Sequence, residues 1–393
     1  GRDRALEDAE SHPGEAEVYS DENASGGAYA NMYAGVDASY GKITNGKLRA
    51  EINSGGVISF YNEKGDLLLK EHFRRLRDES SMPLNIMGRE YKFASGENYQ
   101  LTARFVANPK EKIFGMGQYQ QHEMNMKGCL LELAQRNSQV SVPFYISSQG
   151  YGFLWNNPAV GQVMFANNGT EWVAKSAKEI DYLVIAGETP AAIEEEYMSL
   201  VGLPPMMPEY GLGFWQCKLR YQTQDEILEV AREYKRRGLP IDVIVVDFFH
   251  WPHQGDWNFD FDYWPDPAAM VRELKEMGIE LMVSIWPTVD ADSVNYKEMT
   301  ELGYLTRSEY GKRIGQLGDA CIIDVTNPDG RNYVWEQIKK NYYDLGIKIF
   351  WLDEAEPEYS VYDFDNYRYY LGTDLEIGNI YPVEYARTFY EGM

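Results

Sequence analysis

The 393-residue chain is poor in cysteine and contains no long apolar run. Its three cysteines, Cys129, Cys217 and Cys321, are widely spaced, which excludes a disulfide framework and a paired metal site, so we expect buried thiols in a reducing compartment. No stretch approaches the ~20 consecutive apolar residues that a membrane span requires. No apolar signal-peptide core follows the charged start at Gly1 to Arg4. These absences predict a cytoplasmic protein that does not bind or cross a membrane.

Positive charge is also scarce. The 61 Asp and Glu residues outnumber the 37 Lys and Arg residues, and the net charge at pH 7 is −24. This charge repels nucleic acid and anionic membranes, so neither is predicted as a partner, whereas a neutral or cationic ligand remains compatible. The sequence also lacks a phosphate-binding loop, a dinucleotide fingerprint and a paired-histidine spacing. It therefore predicts no cofactor and no metal.

The length of the chain predicts two or three domains. Residues 1–40 are rich in Gly, Ala, Ser, Asp and Glu without a sustained period, and we expect a poorly defined N-terminal segment there. Residues 41–202 contain short apolar runs bounded by Gly and Asn, such as Val140 to Ile146, which indicate an antiparallel β-sandwich. Residues 203–210 contain three prolines and are predicted to be a linker.

After Gly211 the sequence alternates between helices and apolar strands. Three times a helix ends at a glycine, at Gly238, Gly278 and Gly346, and an apolar strand follows at once. Strands buried on both faces that alternate with helices indicate a parallel sheet, and their regular repetition indicates a (β/α)8 TIM barrel. Residues 211–393 supply about four of the eight strands. The pattern therefore predicts the first half of a catalytic barrel, incomplete at Met393.

In a barrel of this kind, functional residues lie at the carboxyl ends of the strands. The candidates at these ends are Arg220, Asp247, Trp286, Trp351 and Asp353, with Glu354, Glu356 and Glu358 directly after the last strand. Carboxylates and indoles thus gather at one mouth with few basic groups. This composition favours glycoside hydrolysis, in which carboxyl groups protonate the leaving oxygen and stabilise or trap the sugar cation. It is poorly suited to phosphoryl transfer.

Two other interpretations of these residues remain open. The carboxylates after the last strand could form an ordinary solvated loop. Alternatively, Asp247 and His250 could bind a hard cation together with the Asp353 cluster, although the spacing does not match a known metal motif. His250 and His253 are more simply explained as loop histidines that are hydrogen-bonded within an aromatic cluster.

The chain resembles glycoside hydrolase family 31, the retaining α-glucosidases and α-xylosidases. Residues 211–393 resemble the first half of the family's catalytic barrel, and residues 41–200 resemble the β-sandwich that precedes it. The motifs that carry the resemblance are Phe214-Trp-Gln, Arg220-Tyr221, Val246-Asp247-Phe-Phe, Tyr263-Trp-Pro-Asp-Pro267, Ile323-Asp-Val-Thr-Asn-Pro328, Phe350-Trp-Leu-Asp353, Glu356-Pro357, Gly115-Met-Gly-Gln-Tyr and Val142-Pro-Phe-Tyr. The match covers about nine-tenths of the chain, and the joint occurrence of these motifs in the right order along the sequence makes it specific.

The resemblance implies a role for each matching residue. Asp353 matches the nucleophile that forms a covalent glycosyl-enzyme, and Asp247 matches the carboxylate that binds sugar hydroxyls. Trp286 and Trp351 are expected to be walls of the sugar subsite, and Arg220 is expected to shape it. Glu356 is expected to support the site from behind. The family's general acid/base lies further along the chain than Met393.

The resemblance implies an exo-acting retaining α-glycosidase. The Asp353-Glu-Ala-Glu-Pro-Glu358 sequence differs from the common maltase motif and favours an α-xyloside as substrate. An α-glucosidase, α-galactosidase or α-N-acetylgalactosaminidase, and a non-catalytic carbohydrate-binding fragment, remain alternatives. The expected partners are an oligosaccharide or glycoside and the remaining half of the barrel, and a homo-oligomer remains open. Residues 1–393 alone are expected to be inactive on unactivated glycosides.

Overall fold

The computed structural model describes residues 15–18, 39–76, 84–309, 320–359 and 362–393. Most of the predicted N-terminal segment, residues 1–40, lies outside these ranges. The chain divides into two compact units, of which the first contains residues up to Ala134 and 138–204, and the second contains residues 135–137 and 205–393. No helix within the described ranges is long and apolar enough to span a membrane.

The first unit contains sixteen strands and one helix among its described residues. The strands are β1 (Glu15–Val18), β2 (Ser39–Asn45), β3 (Leu48–Asn53), β4 (Ile58–Asn62), β5 (Leu67–Lys70), β6 (Arg74–Leu76), β7 (Leu84–Ile86), β8 (Arg89–Ser95), β9 (Asn98–Phe105), β10 (Ile113–Gln118), β11 (Leu130–Leu133), β12 (Val140–Ser147), β13 (Tyr151–Trp155), β14 (Gly161–Phe165), β15 (Thr170–Ala177) and β16 (Tyr182–Ala186). The helix is α1 (Pro190–Val201).

The described part of the second unit alternates helices with short strands. Its strands are β17 (Trp215–Gln216), β18 (Val243–Val246), β19 (Glu280–Ile285), β20 (Thr288–Val289), β21 (Arg307–Ser308), β22 (Cys321–Ile322), β23 (Ile349–Leu352) and β24 (Tyr367–Arg368). Its helices are α2 (Gln224–Arg236), α3 (Pro267–Glu276), α4 (Tyr296–Leu302), α5 (Pro328–Asn341), α6 (Asp374–Ile377) and α7 (Tyr381–Gly392).

Two antiparallel sheets pack face to face in the first unit. One has the order β10-β12-β13-β16 and the other the order β11-β14-β15-β9-β8. Their inner side chains form a single core, in which Trp172 of β15 stacks on Phe153 of β13 with ring centroids 5.1 Å apart. A third antiparallel sheet, β1-β2-β3-β4-β5, contributes Phe60 and Leu69 to the same core. Inward-facing aromatic residues therefore hold this unit together as a sandwich.

The second unit is built on a parallel sheet of order β17-β18-β19-β23, which contains the four strands expected from the sequence. In its register Val245 lies opposite Met282, and Ser284 lies opposite Trp351. Ile244 of β18 and Val283 of β19, on the other face, pack into a core with residues of helices α2, α3, α5 and α7. Burial of each such side chain contributes about 1.5–3 kcal/mol. This packing determines which face of the sheet stays free for the site.

Caps in the sequence explain where the helices begin. Thr223 Oγ1 accepts a hydrogen bond from the Glu226 N–H at 3.2 Å, as expected for the capping box before α2. The sequence predicts the start of α5 near Arg331, but the helix begins at Pro328. The reason is that Asn327 Oδ1 accepts from the Asp329 N–H, and proline suits the first helical turn.

The prediction that all three cysteines are buried is wrong for Cys217. Cys321 is buried, Cys129 is half-buried and Cys217 is exposed. The thiol of Cys217 is exposed because the residue directly follows β17 and lines the open cavity on the face of the parallel sheet opposite the helical core.

Candidate active site

The alternation of side chains along the parallel strands brings three of the predicted residues to one face. Each of the three lies two positions after a residue of a paired strand: Asp247 after Val245, Trp286 after Ser284, and Asp353 after Trp351. Because side chains two positions apart in an extended strand share a face, continuing the register of the strands by one residue places all three on the free side of the sheet at its carboxyl edge. This is the edge at which parallel α/β sheets bind ligands.

Asp353 is held by a hydrogen bond from Trp286. The indole Nε1–H donates to Asp353 Oδ2 at 2.9 Å, and the Asp353 backbone N–H donates to the Ile285 carbonyl at 3.1 Å. Trp286 is only 5% exposed, and its ring contacts Phe248, with centroids 5.2 Å apart, and Trp251, with centroids 5.8 Å apart. The carboxylate of Asp353 therefore has one oxygen fixed by a rigid donor.

Asp247 is buried near this carboxylate. Its side chain is 6% exposed, and its Oδ1 accepts a hydrogen bond from the Phe248 N–H at 2.8 Å. Burial raises the pKa of Asp247, and the negative charge of Asp353 raises it further, whereas the cation of Arg220 lowers it. A carboxylate that is removed from water in this way gains from a polar ligand that donates hydrogen bonds to it.

Arg220 and Trp351 line the surroundings of the two carboxylates. The guanidinium of Arg220 lies 5.7 Å from the ring centroid of Phe249, and its Nη1 is 3.4 Å from the Phe249 carbonyl, so it lies over the loop after β18. Trp351 is 40% exposed. Together with Trp215 and Cys217 it lines an apolar cavity of about 530 Å³ on the free face of the sheet.

Three half-buried glutamates follow Asp353. Burial, together with the hydrogen bond to Glu358, raises the pKa of Glu354 to about 9. Burial also raises the pKa of Glu356, and Asp353 adds to this effect. Glu354 and Glu356 therefore favour their protonated forms. Within the described ranges, no group of three or more His, Cys, Asp or Glu residues is arranged to hold a metal ion.

Backbone conformations that are unfavourable for residues with a Cβ atom occur at the loops of the site. Phe249 has a φ of 59°, Trp257 a φ of 44° and Glu354 a φ of 57°. Left-handed φ values are uncommon for large side chains and persist where surrounding contacts hold them. Such contacts are present, because the Trp257 indole N–H donates to the Trp286 carbonyl at 3.1 Å.

Two further residues, His250 and Tyr342, connect parts of the site, and the sequence predicts His250 only as a hydrogen-bonded loop histidine or a cation ligand. His250, 1% exposed, connects the Asp247 carbonyl to the Tyr342 hydroxyl, with a distance of 2.9 Å on each side. The sequence placed His250 among aromatic residues, and its ring contacts Trp251 and Phe259. Tyr342 carries no sequence signal, because it lies 95 positions from Asp247 and only the fold brings the two together.

Comparisons with known proteins agree with this arrangement. The family model described as "Glycosyl hydrolases family 31 TIM-barrel domain" matches residues 204–393. The chain is 51% identical to an uncharacterized family 31 glucosidase, ORF2, of Pseudescherichia vulneris, over 91% of this chain and 70% of that protein. It is 32% identical to alpha-xylosidase A of Aspergillus niger, over 90% of this chain and 53% of that protein.

Among solved structures, the chain resembles that of a family 31 alpha-xylosidase from a soil metagenome, complexed with xylose. The TM-score is 0.86 and the sequence identity 59%, over 90% of this chain and 54% of that chain. The present chain thus spans about half the length of these xylosidases. These similarities confirm the resemblance inferred from the motifs, and they imply an N-terminal sandwich followed by a TIM-barrel domain.

Proposed function

Since the chain belongs to glycoside hydrolase family 31, a family of glycosidases, we propose that its protein is a retaining, exo-acting α-xylosidase. The observation that carries the proposal is the hydrogen bond that the Trp286 indole donates to Asp353. Asp353 lies near a second carboxylate, the buried Asp247, at the same edge of the parallel sheet. The xyloside preference is supported by relatives named as α-xylosidases at 32% and 59% identity. It is also the preference favoured by the Asp353–Glu358 motif.

In the proposed mechanism Asp353 attacks the anomeric carbon of a terminal α-linked sugar. The indole N–H holds Oδ2, so Oδ1 forms the bond to the sugar while the glycosidic bond breaks and the leaving oxygen takes a proton. Water then cleaves the covalent glycosyl-enzyme, and the configuration at the anomeric carbon is retained. The proton donor of a retaining enzyme lies about 5–5.5 Å from the nucleophile. We assign it to a residue outside residues 1–393.

Asp247 has a different role in this mechanism. It accepts hydrogen bonds from hydroxyl groups of the bound sugar, and these bonds strengthen as positive charge develops on the ring in the transition state. The hydroxyl donors also compensate for the buried charge of Asp247. Trp351 and Trp286 provide flat apolar walls beside the sugar, Arg220 shapes the loop after β18, and Glu356 supports the Asp353 loop.

We further propose that four additional strands complete the barrel over the free face of the parallel sheet. This face presents Trp215, which is 39% exposed, and Trp351, which is 40% exposed, beside the apolar cavity. Exposed apolar surface of this kind is stabilised when another layer covers it. If this is correct, residues 1–393 expressed alone will be inactive on unactivated glycosides. A soluble, fully active 1–393 monomer would contradict the proposal.

A panel of aryl α-glycosides tests the substrate. We expect the full-length protein to hydrolyse the α-xyloside with a higher kcat/KM than the α-glucoside, α-galactoside or α-N-acetylgalactosaminide. An α-glucosidase is the second candidate, because the relative with 51% identity is named a glucosidase. A fluorinated xylosyl fluoride, which slows hydrolysis of the intermediate, should label the peptide that contains Asp353. Labelling of a peptide without Asp353 would contradict the assignment of the nucleophile, and no turnover of any glycoside would favour a non-catalytic binding role.

A further inference from the structure

His250 forms two hydrogen bonds that together link the tip of β18 to the end of α5. Nδ1 lies 2.9 Å from the Asp247 carbonyl oxygen, and Nε2 lies 2.9 Å from the Tyr342 hydroxyl. Asp247 directly follows β18, and Tyr342 directly follows α5 and is fully buried. The imidazole therefore connects a strand that bears one site carboxylate to the helix that precedes the strand bearing the other.

The chemistry of the two partners determines the tautomer. A carbonyl oxygen can only accept a hydrogen bond, so Nδ1 carries the hydrogen and donates the hydrogen bond to the Asp247 carbonyl. Burial lowers the pKa of His250 to about 4, so the ring is neutral near pH 7 and Nε2 has a lone pair. That lone pair accepts the hydrogen bond from the Tyr342 hydroxyl. Both ring nitrogens are thus satisfied in one orientation of the imidazole, which is also enclosed by Trp251 and Phe259.

The geometry of the following residues makes this link relevant to the site. Phe249, which lies between Asp247 and His250 in the chain, has a left-handed φ of 59°, so the turn after Asp247 is not one that the chain would adopt without support. The Asp260 N–H donates to the His250 carbonyl at 2.8 Å, which holds the other side of the turn. The Asp247 carboxylate and the carbonyl bound by His250 belong to the same residue. Movement of the turn therefore moves the carboxylate.

We propose that His250 is a positioning residue for Asp247: its Nδ1–H bond to the Asp247 carbonyl, supported by Tyr342, holds the carboxylate in the orientation that binds the sugar. This inference rests on the proposed function of Asp247. It assigns no contact between His250 and the substrate, because the imidazole is 1% exposed. A displacement of a catalytic group by about 1 Å can lower a rate by about 100-fold.

Two substitutions at His250 separate its hydrogen bond from its bulk. His250→Leu fills the space without a donor, and we expect kcat/KM for an aryl α-xyloside with a good leaving group to fall by about 10- to 100-fold. His250→Asn places an amide N–H on the same γ carbon as Nδ1, and we expect it to restore kcat/KM to within about fivefold of the wild type. His253→Leu is the matched control, because His253 lies in the same loop but is exposed. We expect it to leave kcat/KM unchanged.

A double-mutant cycle with Asp247→Asn tests whether His250 acts through Asp247. If it does, His250→Leu should have less than about a threefold effect in the Asp247→Asn background. An equal fold loss in both backgrounds would show a general structural effect, and no loss from His250→Leu would show no effect at all; either result overturns the inference. If His250→Leu does not fold, Tyr342→Phe replaces it in the double-mutant cycle, because this substitution removes only the supporting hydroxyl. We expect Tyr342→Phe to lower kcat/KM less than His250→Leu does, and to have no further effect on kcat/KM in the Asp247→Asn background.

The same experiment distinguishes failure of this inference from failure of the proposed function. If Asp247→Asn alone leaves kcat/KM unchanged, the proposed sugar-binding role of Asp247 is wrong. If Asp247→Asn lowers kcat/KM but its effect and that of His250→Leu are additive in free energy, the proposed role of Asp247 stands and only the positioning role of His250 is wrong. All variants are compared in the full-length protein.

Discussion

Replacing Trp286 with phenylalanine removes the one side-chain hydrogen bond that the structure shows on Asp353 among the described residues. The indole Nε1–H donates to Oδ2 at 2.9 Å. Phenylalanine keeps an aromatic ring beside Phe248 and Trp251 but cannot donate. The substitution therefore tests the orientation of the proposed nucleophile with limited loss of packing.

The expected magnitude follows from the orientation of the carboxylate. The carboxylate loses charge as it bonds to the anomeric carbon, so the hydrogen bond is weaker in the transition state than in the ground state, and its electrostatic loss does not by itself lower kcat. Without the donor, however, Oδ2 is no longer fixed and the carboxylate can turn away from the anomeric carbon. A displacement of about 1 Å can lower a rate by about 100-fold, and a partial loss of orientation lowers it less, so we expect kcat to fall about tenfold with little change in KM.

The assay is steady-state hydrolysis of an aryl α-xyloside by the full-length protein, with thermal unfolding recorded in parallel. Trp172→Phe in the sandwich core is the matched control. Trp172 is fully buried, and its indole N–H has no hydrogen-bond partner among the described residues, so the substitution should lower stability without changing kcat. A Trp286→Phe variant within twofold of the wild-type kcat would refute the positioning argument. An equal fall in the Trp172→Phe variant would attribute the loss to stability.

The remaining predictions concern two carboxylates, Asp353 and Asp247, and one histidine, His250. Asp353→Asn should remove nearly all turnover because no covalent intermediate can form, and retention of more than about a tenth of the rate, a loss of only ~1.4 kcal/mol of transition-state stabilisation, would show that Asp353 is not the nucleophile. Asp247→Asn should strongly lower kcat/KM while circular dichroism and the unfolding temperature stay near wild type; a ligand-bound structure with Asp247 far from the sugar would exclude its proposed role. For His250, burial and the cation of Arg220 lower the pKa to about 4 from 6.5. The folded state therefore binds fewer protons than the unfolded state between these values, so stability is full above pH 6.5 and falls by up to about 3 kcal/mol as the pH drops to 4. Urea unfolding at several pH values checks this, and His250→Asn should reduce the dependence; identical pH profiles for the two proteins would contradict it.

The order of elements could be predicted from the sequence for physical reasons that act locally. Thr223 and Glu226 stand at the spacing of a capping box, and the helix begins there. Continuous apolar runs such as Val243–Val246 are buried on both faces, which identifies strands of a parallel sheet. Helix α5 begins at Pro328, before the predicted start near Arg331, because the Asn327 cap and the proline at the first turn set its boundary. Local signals thus determine elements, whereas their boundaries depend on single caps.

Parts of the site could also be predicted, since strand ends in a parallel sheet meet at one edge. Asp247, Trp286 and Asp353 were all identified from their positions after apolar runs, and the structure brings them to one face. Their catalytic and binding roles remain predictions. Arg220 was identified in the same way, but its contact with Phe249 depends on the conformation of the loop after β18. No local pattern predicts that conformation.

The sequence by itself determined the class of each segment, the family and the candidate carboxylates, because periodicity, caps and motifs are properties of neighbouring residues. Only the tertiary structure decided which of these side chains meet. The donor to Asp353 is an indole 67 positions away, and the partner of His250 is a hydroxyl 92 positions away. The exposure of Cys217 was likewise decided by which face of the sheet the helices cover. Hydrogen bonds and burial depend on distances in space, and these distances are set by the packing of strands and helices that are remote in the chain.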